Sequence, residues 1–308
     1  MMNRGSTALT YLPTTTAAVI APAISYDRAN SLYGVLSEPA ATNSLLQSNT
    51  IDSASWTKVT LTVTANDAVA PDGTTTADKL EDASAAAFGS LDQAVAIAAD
   101  TTTRVLSVYF KKDLTAAHYS RIRMRYSGSA TKAASIVVSV ATGVISANSE
   151  TTNLVSSQSE SVGDYWRFSI VSTNDGANTA LQAWFDPAFN TDGTGTGAVA
   201  TTGVVHIWGV QIETGTVATS PIPTYAATAT RAADLNTVLT SAMPFGVAGT
   251  GIIHFRARQA SATGVPAMAL FGIGTNAGDY TFVDSVGGTG GYRWTSFPFG
   301  GQIFSPAS

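Results

Sequence analysis

Two carboxyl groups suffice to cut a glycosidic bond, so acidic side chains are the first place to look for chemistry in this chain. Asp78, Glu81, Asp82, Glu150, Glu160, Asp164, Asp186 and Glu213 qualify by type. Most stand among turn-forming residues, where Asp caps backbone amides. Glu213 is different, because it closes the apolar pattern Trp208-Gly209-Val210-Gln211-Ile212. The three histidines, His118, His206 and His254, lie far apart and none has the H-x-x-x-H spacing of a metal site. There is no G-x-S-x-G elbow and no G-x-x-x-x-G-K-[ST] phosphate loop. With no cysteine, disulfides, thiolate metal sites and a thiol nucleophile are all excluded. The expectation is a chain without enzymatic activity.

Aromatic residues carry a stronger signal. Sugar rings present apolar C–H faces that stack on Trp and Tyr, while amides, carboxylates and guanidinium groups hold the hydroxyls. Trp56, Tyr109, Tyr126, Trp166, Trp184 and Trp208 are available, and Arg121, Arg123 and Arg125 alternate along one strand face. Aromatics of a β protein also fill its core, and Trp208 reads as a core residue. From type and position the glycan-binding candidates are Tyr109, Tyr126, Trp184, Arg121 and Arg123. Asp72, Asp78 and Asp82 lie close enough in sequence to suggest a structural calcium, although their spacing is not that of an EF-hand. No other cofactor is expected.

The elements that must position these groups are strands. Val59, Leu61 and Val63 alternate with Thr60, Thr62 and Thr64, and Arg121 to Tyr126 alternates strictly between basic and apolar. Further strands are expected at 104–110, 135–140, 165–172, 180–185 and 204–212, separated by turn signals such as Asn174-Asp175-Gly176. Only 83–99 is ambiguous, because its alanines favour helix and Gly89 opposes a long one. Many short strands between turn signals predict an all-β fold, a jelly-roll β-sandwich. Three segments follow: an extended N-terminal arm over 1–34, the sandwich over 35–234, and a smaller β-rich unit over 235–308. Strands are expected at 251–258 and 268–273 of the last.

Charged residues make up 12% of the chain, about half the usual fraction of roughly 25%. So few charges leave the surface poorly defended against association, and a homo-oligomer is expected. A net charge of −5 argues against a nucleic-acid partner. No run approaches the ~20 apolar residues of a membrane span, and residues 1–21 do not form a secretory signal.

Several phrases, in order, resemble those of phage tail-fibre, tail-spike and head-spike proteins. They begin with Gly34-Val35-Leu36-Ser37-Glu38-Pro39-Ala40-Ala41-Thr42-Asn43 and continue through Ala70-Pro71-Asp72-Gly73 and Gly163-Asp164-Tyr165-Trp166-Arg167-Phe168. They close with Ile207-Trp208-Gly209-Val210-Gln211-Ile212-Glu213, Thr219-Ser220-Pro221-Ile222-Pro223-Thr224 and Thr230-Arg231-Ala232-Ala233-Asp234. The resemblance covers about two thirds of the chain. It implies a jelly roll similar to carbohydrate-binding modules, carried on the virion surface, made in the host cytoplasm and released with the particle. It further implies attachment to other virion proteins through the arm, assembly as a trimer or pentamer, and contact with host surface polysaccharide. A decoration or connector protein without ligand, and a polysaccharide-degrading spike, are the alternatives. Longer tail proteins often continue into a lectin-like sandwich or an enzymatic β-helix, and 235–308 is too short for either to be complete.

Overall fold

The computed structural model describes residues 38–195 and 201–233 in full, together with the backbone of six further strands. No helix occurs among the described residues. The chain divides into two compact units, Met1–Asn236 and Thr237–Ser308.

The first unit is built on two six-stranded antiparallel sheets packed in a sandwich-like arrangement. One sheet has the order β11 (Ile145–Glu150), β10 (Lys132–Val138), β9 (Tyr119–Ser127), β14 (Ala180–Asn190), β7 (Ser90–Ala96) and β4 (Thr57–Val59). The other runs β12 (Leu154–Val162), β13 (Tyr165–Thr173), β8 (Thr103–Lys111), β15 (Gly203–Thr214), β6 (Thr75–Asp82) and β5 (Thr62–Val69). A short pair, β3 (Ala41–Asn43) with β16 (Ala229–Arg231), joins the two ends of this unit. Within the stretch expected to be an extended arm, β1 (Ala23–Asp27) and β2 (Leu32–Leu36) pair as a hairpin. The second unit contains a four-stranded sheet of β17 (Ala269–Gly274), β18 (Tyr280–Ser285), β19 (Tyr292–Ser296) and β20 (Gln302–Phe304). The strand expected at 251–258 lies outside the described residues, as do residues 1–22 of the arm.

Apolar alternation explains the core between the sheets. Ile122, Met124 and Tyr126 of β9 point inward with Leu181, Ala183 and Phe185 of β14, against Leu106, Val108 and Phe110 of β8. Strand β8 is buried on both faces, which is why its sequence reads as a nearly continuous apolar run. One expected strand is broken. Thr60 adopts φ 50°, in the left-handed region, and there the chain leaves the first sheet at β4 to join the second at β5. Val59 is consequently exposed, while Leu61 and Val63 pack against the core. The ambiguous alanine-rich segment contains strand β7 and no helix.

The outer face of the second sheet carries a smaller cluster of Tyr109, Tyr165 and Trp208 with Ala68, Ala70 and Ala77. A bulge in β15 follows directly after Trp208 of this layer. Its register shifts between Trp208 and Gln211, with Gly209 at φ 63° as the extra residue. A Cβ on Gly209 would meet the Tyr109 ring at 3.0 Å, and the backbone there favours glycine. The bulge lets Val205, Ile207, Val210 and Ile212 all face the central core, while Trp208, Gln211 and Glu213 face the other way.

Those outward residues close a lock between the two ends of the unit. Asn43 Nδ2 donates to the carbonyls of Val210 (3.1 Å) and Ile222 (3.0 Å). Its Oδ1 accepts from the amides of Leu45 and Ile212. Gln211 Oε1 accepts from the Ile222 amide, and Glu38 accepts from the Ser220 amide while pairing with Arg231. Glu213 accepts from Gln211 Nε2 at 2.6 Å, from the Thr219 amide at 3.1 Å and from Thr219 Oγ1 at 2.5 Å.

Burial raises the Glu213 carboxyl above its ordinary range, and the Thr219 hydrogen bonds only partly oppose that. A raised folded-state pKa gives stability that is full below the unfolded value, near 4.5, and is lost as pH rises through the folded value. Glu213→Gln removes this dependence, since the amide stays neutral. Melting both proteins at pH 4.5 and pH 8 is expected to show the wild type losing ground to the variant at the higher pH. A constant difference between the two would contradict the assignment.

Candidate functional site

The central core and the lock absorb most of the aromatics and several of the acids. Tyr109 is 1% exposed, with its ring edge-on to Trp208 at 5.4 Å. Tyr126 is fully buried and its hydroxyl donates to the Ser172 carbonyl at 3.2 Å. Neither ring offers a face to a sugar, which corrects both expectations: each sits at an inward or covered position of its strand. Trp56 and Trp208 are core residues as well. The three aspartates of the calcium expectation are each engaged by backbone amides. Asp72 caps the Thr74 amide, Asp78 accepts from the Ile51 and Asn66 amides, and Asp82 accepts from Ser84 and Gly89. Asp72 and Asp82 tie down their own loops, Asp78 holds two other segments, and no cluster of three or more metal-ligating side chains occurs among the described residues.

Trp184, Arg121 and Arg123 do come together, on the outer face of the first sheet. Strict alternation in β9 sends Arg121, Arg123 and Arg125 outward while Ile122, Met124 and Tyr126 go in. Cross-strand register then sets Asp186 opposite Arg121, Trp184 opposite Arg123 and Gln182 opposite Arg125. On the far side of β14, Asp92 lies opposite Trp184 and Ala94 opposite Gln182. On the other flank β10 contributes Val137, Ser135 and Ala133 to the same three rows.

These side chains are tightly interconnected. Arg121 Nε donates to Asp186 Oδ2 at 2.6 Å, and Trp184 Nε1 donates to Asp186 Oδ1 at 2.8 Å. The Arg121 guanidinium also covers the Phe189 ring, 4.3 Å from its centroid. Arg123 forms a two-pronged pair with Glu150, both bonds at 2.6 Å, and Ser135 Oγ donates to the same carboxylate at 3.1 Å. Arg123 stands 5.8 Å from the Trp184 ring centroid. Arg125 Nη1 donates to Gln182 Oε1 at 2.7 Å, and Gln182 Nε2 donates to Asp92 Oδ2 at 3.1 Å. The result is a half-buried indole held at its N–H end, standing in a field of fixed donors and acceptors.

Two carboxyls on this face are displaced from their ordinary range. Burial raises Asp186, with Arg121 and the Trp184 N–H opposing it. Burial also raises Asp92, opposed by the Gln182 amide and the Arg125 charge. Low dielectric surroundings disfavour the charged form, and both groups are held by few donors.

Asp92, Gln182 and Phe189 were not legible as site residues in the sequence. Asp92 is hidden in the alanine-rich segment whose element type was ambiguous. Once β7 is known as a strand, its pairing with β14 brings Asp92 beside Trp184. Of the other acids, Glu213 and Asp78 are structural, Glu81 pairs with Lys79 at 3.1 Å, and Glu160 belongs to β12 on the opposite sheet.

No protein-family profile matches the chain, and no curated protein sequence matches it. Among solved structures it is similar to the enzymatically active domain of bacteriophage CBA120 tailspike protein 4, at a TM-score of 0.37 and 15% identity. The match covers 56% of this chain and 21% of that one, so the chain spans about a fifth of the length of the structure it matches. That neighbour is named as an enzymatically active domain, which stands against the expectation of a chain without enzymatic activity.

Proposed function

We propose that the chain is a phage virion structural protein, of the tail-fibre or spike kind, whose jelly-roll sandwich contacts host surface glycan. The contact face is the outer surface of β9, β14 and β7. The observation that carries the reading is Trp184: a half-buried indole, braced by Asp186 and flanked by Arg123 and Asp92 on the outer sheet face. A pyranose ring stacked there would find hydroxyl partners on both sides without any rearrangement of the strands. Residues 1–34 are proposed to dock on other virion proteins. A symmetric trimer or pentamer would multiply weak single-site binding into useful avidity.

A second reading is hydrolysis at the same face. Asp92 and Asp186 both flank Trp184, and a carboxyl raised by burial is the kind of group that serves as a general acid near neutral pH.

One experiment separates these. The full chain is incubated with surface polysaccharides from candidate host cells, and both retention and polymer length are scored. Trp184→Ala is expected to reduce retention at least tenfold while leaving the melting temperature within a few degrees of wild type, since the indole is only half-buried. Shortening of the polymer that disappears in Asp92→Asn would establish the hydrolytic reading. Undiminished retention in Trp184→Ala would remove this face as the site.

A further inference from the structure

The three arginines of the face are not equivalent. Arg121 holds the Asp186 carboxylate and stacks on Phe189. Arg123 has its charge paired by Glu150 through two bonds. Arg125 differs, because its hydrogen-bond partner among the described residues is the neutral Gln182 oxygen. The Asp92 carboxyl lies within reach of its charge, with Gln182 bridging the two, but no carboxylate hydrogen-bonds Arg125 among the described residues. Its row is otherwise built of small side chains, with Ala133 on one flank and Ala94 beyond Gln182. This partly exposed guanidinium, flanked by Ala133 and Gln182, stands one row along the strand from Trp184.

Ala94 is also where this face meets a cleft. Beyond β7 the partner strand β4 covers only Ser90, Leu91 and Asp92, so the second half of β7 is an open edge. Alongside it lies a cleft of about 530 Å³ whose walls include Thr42, Ser44, Ser55 and Thr228, with Ala94 and Ala96 on the strand side. Hydroxyl-bearing walls next to a strand edge can hydrogen-bond successive sugar units. The cleft and the Arg125 row share Ala94.

We infer that this face selects a polysaccharide bearing sugar carboxylates, with Arg125 receiving the carboxylate, Trp184 the ring beside it and the Thr42–Ser44 cleft a neighbouring unit. The inference rests on the glycan-binding reading above and adds the chemical class of the ligand. A planar guanidinium with free donors matches a carboxylate in two-pronged geometry, and a neutral sugar cannot use that match. Bulk charge does not explain such a preference. The chain carries a net charge of −5, and on the face itself Arg121, Arg123 and Arg125 are balanced by Asp92, Glu150 and Asp186. Any attraction for an anion must therefore be local to Arg125.

The test uses the full chain and a panel of acidic host surface polysaccharides, each in native and carboxyl-reduced form. Wild type is expected to bind at least one native polymer about tenfold more tightly than its reduced counterpart, the scale of one charge-assisted contact. Arg125→Gln should erase that preference and leave affinity for the reduced polymer unchanged. Arg125→Lys, which keeps the charge and loses the fork, should fall between. Equal binding of native and reduced forms by wild type would overturn the inference and leave the glycan-binding reading standing. So would equal losses on both forms in Arg125→Gln and Arg125→Lys with unchanged melting temperatures. Absence of binding to every polymer in either form would overturn the glycan-binding reading itself.

Discussion

Replacing Trp208 with alanine is expected to destabilise the protein by about 3–5 kcal/mol, the usual scale for deleting a buried Trp. The side chain is 1% exposed, its N–H donates to Thr76 Oγ1 at 3.1 Å, and its ring packs edge-on against Tyr109 at 69°. The loss of that aromatic pair adds about 0.5–1.5 kcal/mol to simple burial. Domains are commonly stable by only about 5–15 kcal/mol, so the variant should populate unfolded chains under mild conditions. Urea unfolding followed by fluorescence and circular dichroism reads the effect as a lower midpoint. Trp208→Phe should recover part of the loss. Wild-type melting in the alanine variant would mean that the layer outside the second sheet contributes little to the fold.

The second large effect is expected at Glu38. Its carboxylate pairs with Arg231 and accepts from the Ser220 amide, and the Arg231 side chain is only 5% exposed. Removing one partner of a buried ion pair leaves the other as an uncompensated charge, at a cost of about 3–5 kcal/mol. Glu38→Ala should therefore destabilise far more than a typical surface substitution. Adding Arg231→Met to Glu38→Ala should restore much of the loss, because a buried pair replaced by apolar groups is often near neutral. A double variant as unstable as Glu38→Ala alone would show that the Ser220 contact, and not the stranded charge, dominates.

Strands announced themselves in the sequence wherever one face is buried and the other is not. The alternation in Arg121 to Tyr126 is the clearest example, and it already placed the three arginines on one side. Trp208 was legible as core from its apolar neighbours. What could not be read is the second layer outside β8 and β15. Tyr109 has the type and spacing of a surface aromatic, and only the pairing of β8 with β15 sets Trp208 directly opposite it. Nor could sequence separation reveal that Asp92 and Trp184, far apart in the chain, are directly opposed across β7 and β14. The resemblance-carrying phrases taught a related lesson. Glu38, Asn43, Gln211, Glu213 and Arg231 are the parts of the lock, so the most recognisable residues hold the sandwich closed. Of the residues proposed to meet the ligand, Trp184 and Arg125 fall outside those phrases, while Thr42 of the cleft falls within the first.

The pairing of β3 with β16 also has a mechanical side. Ala41 stands opposite Arg231 and Asn43 opposite Ala229, so the chain enters and leaves the sandwich at the same spot, in opposite directions. Tension applied through the flanking segments would open this pair like a zipper, one rung at a time, beginning at the Glu38–Arg231 clamp. The twelve strands of the two large sheets would carry little of that load until the clamp gave way. The same arrangement makes the sandwich portable: with adjacent ends, it fits between two parts of a longer chain as a side branch that leaves their spacing almost unchanged.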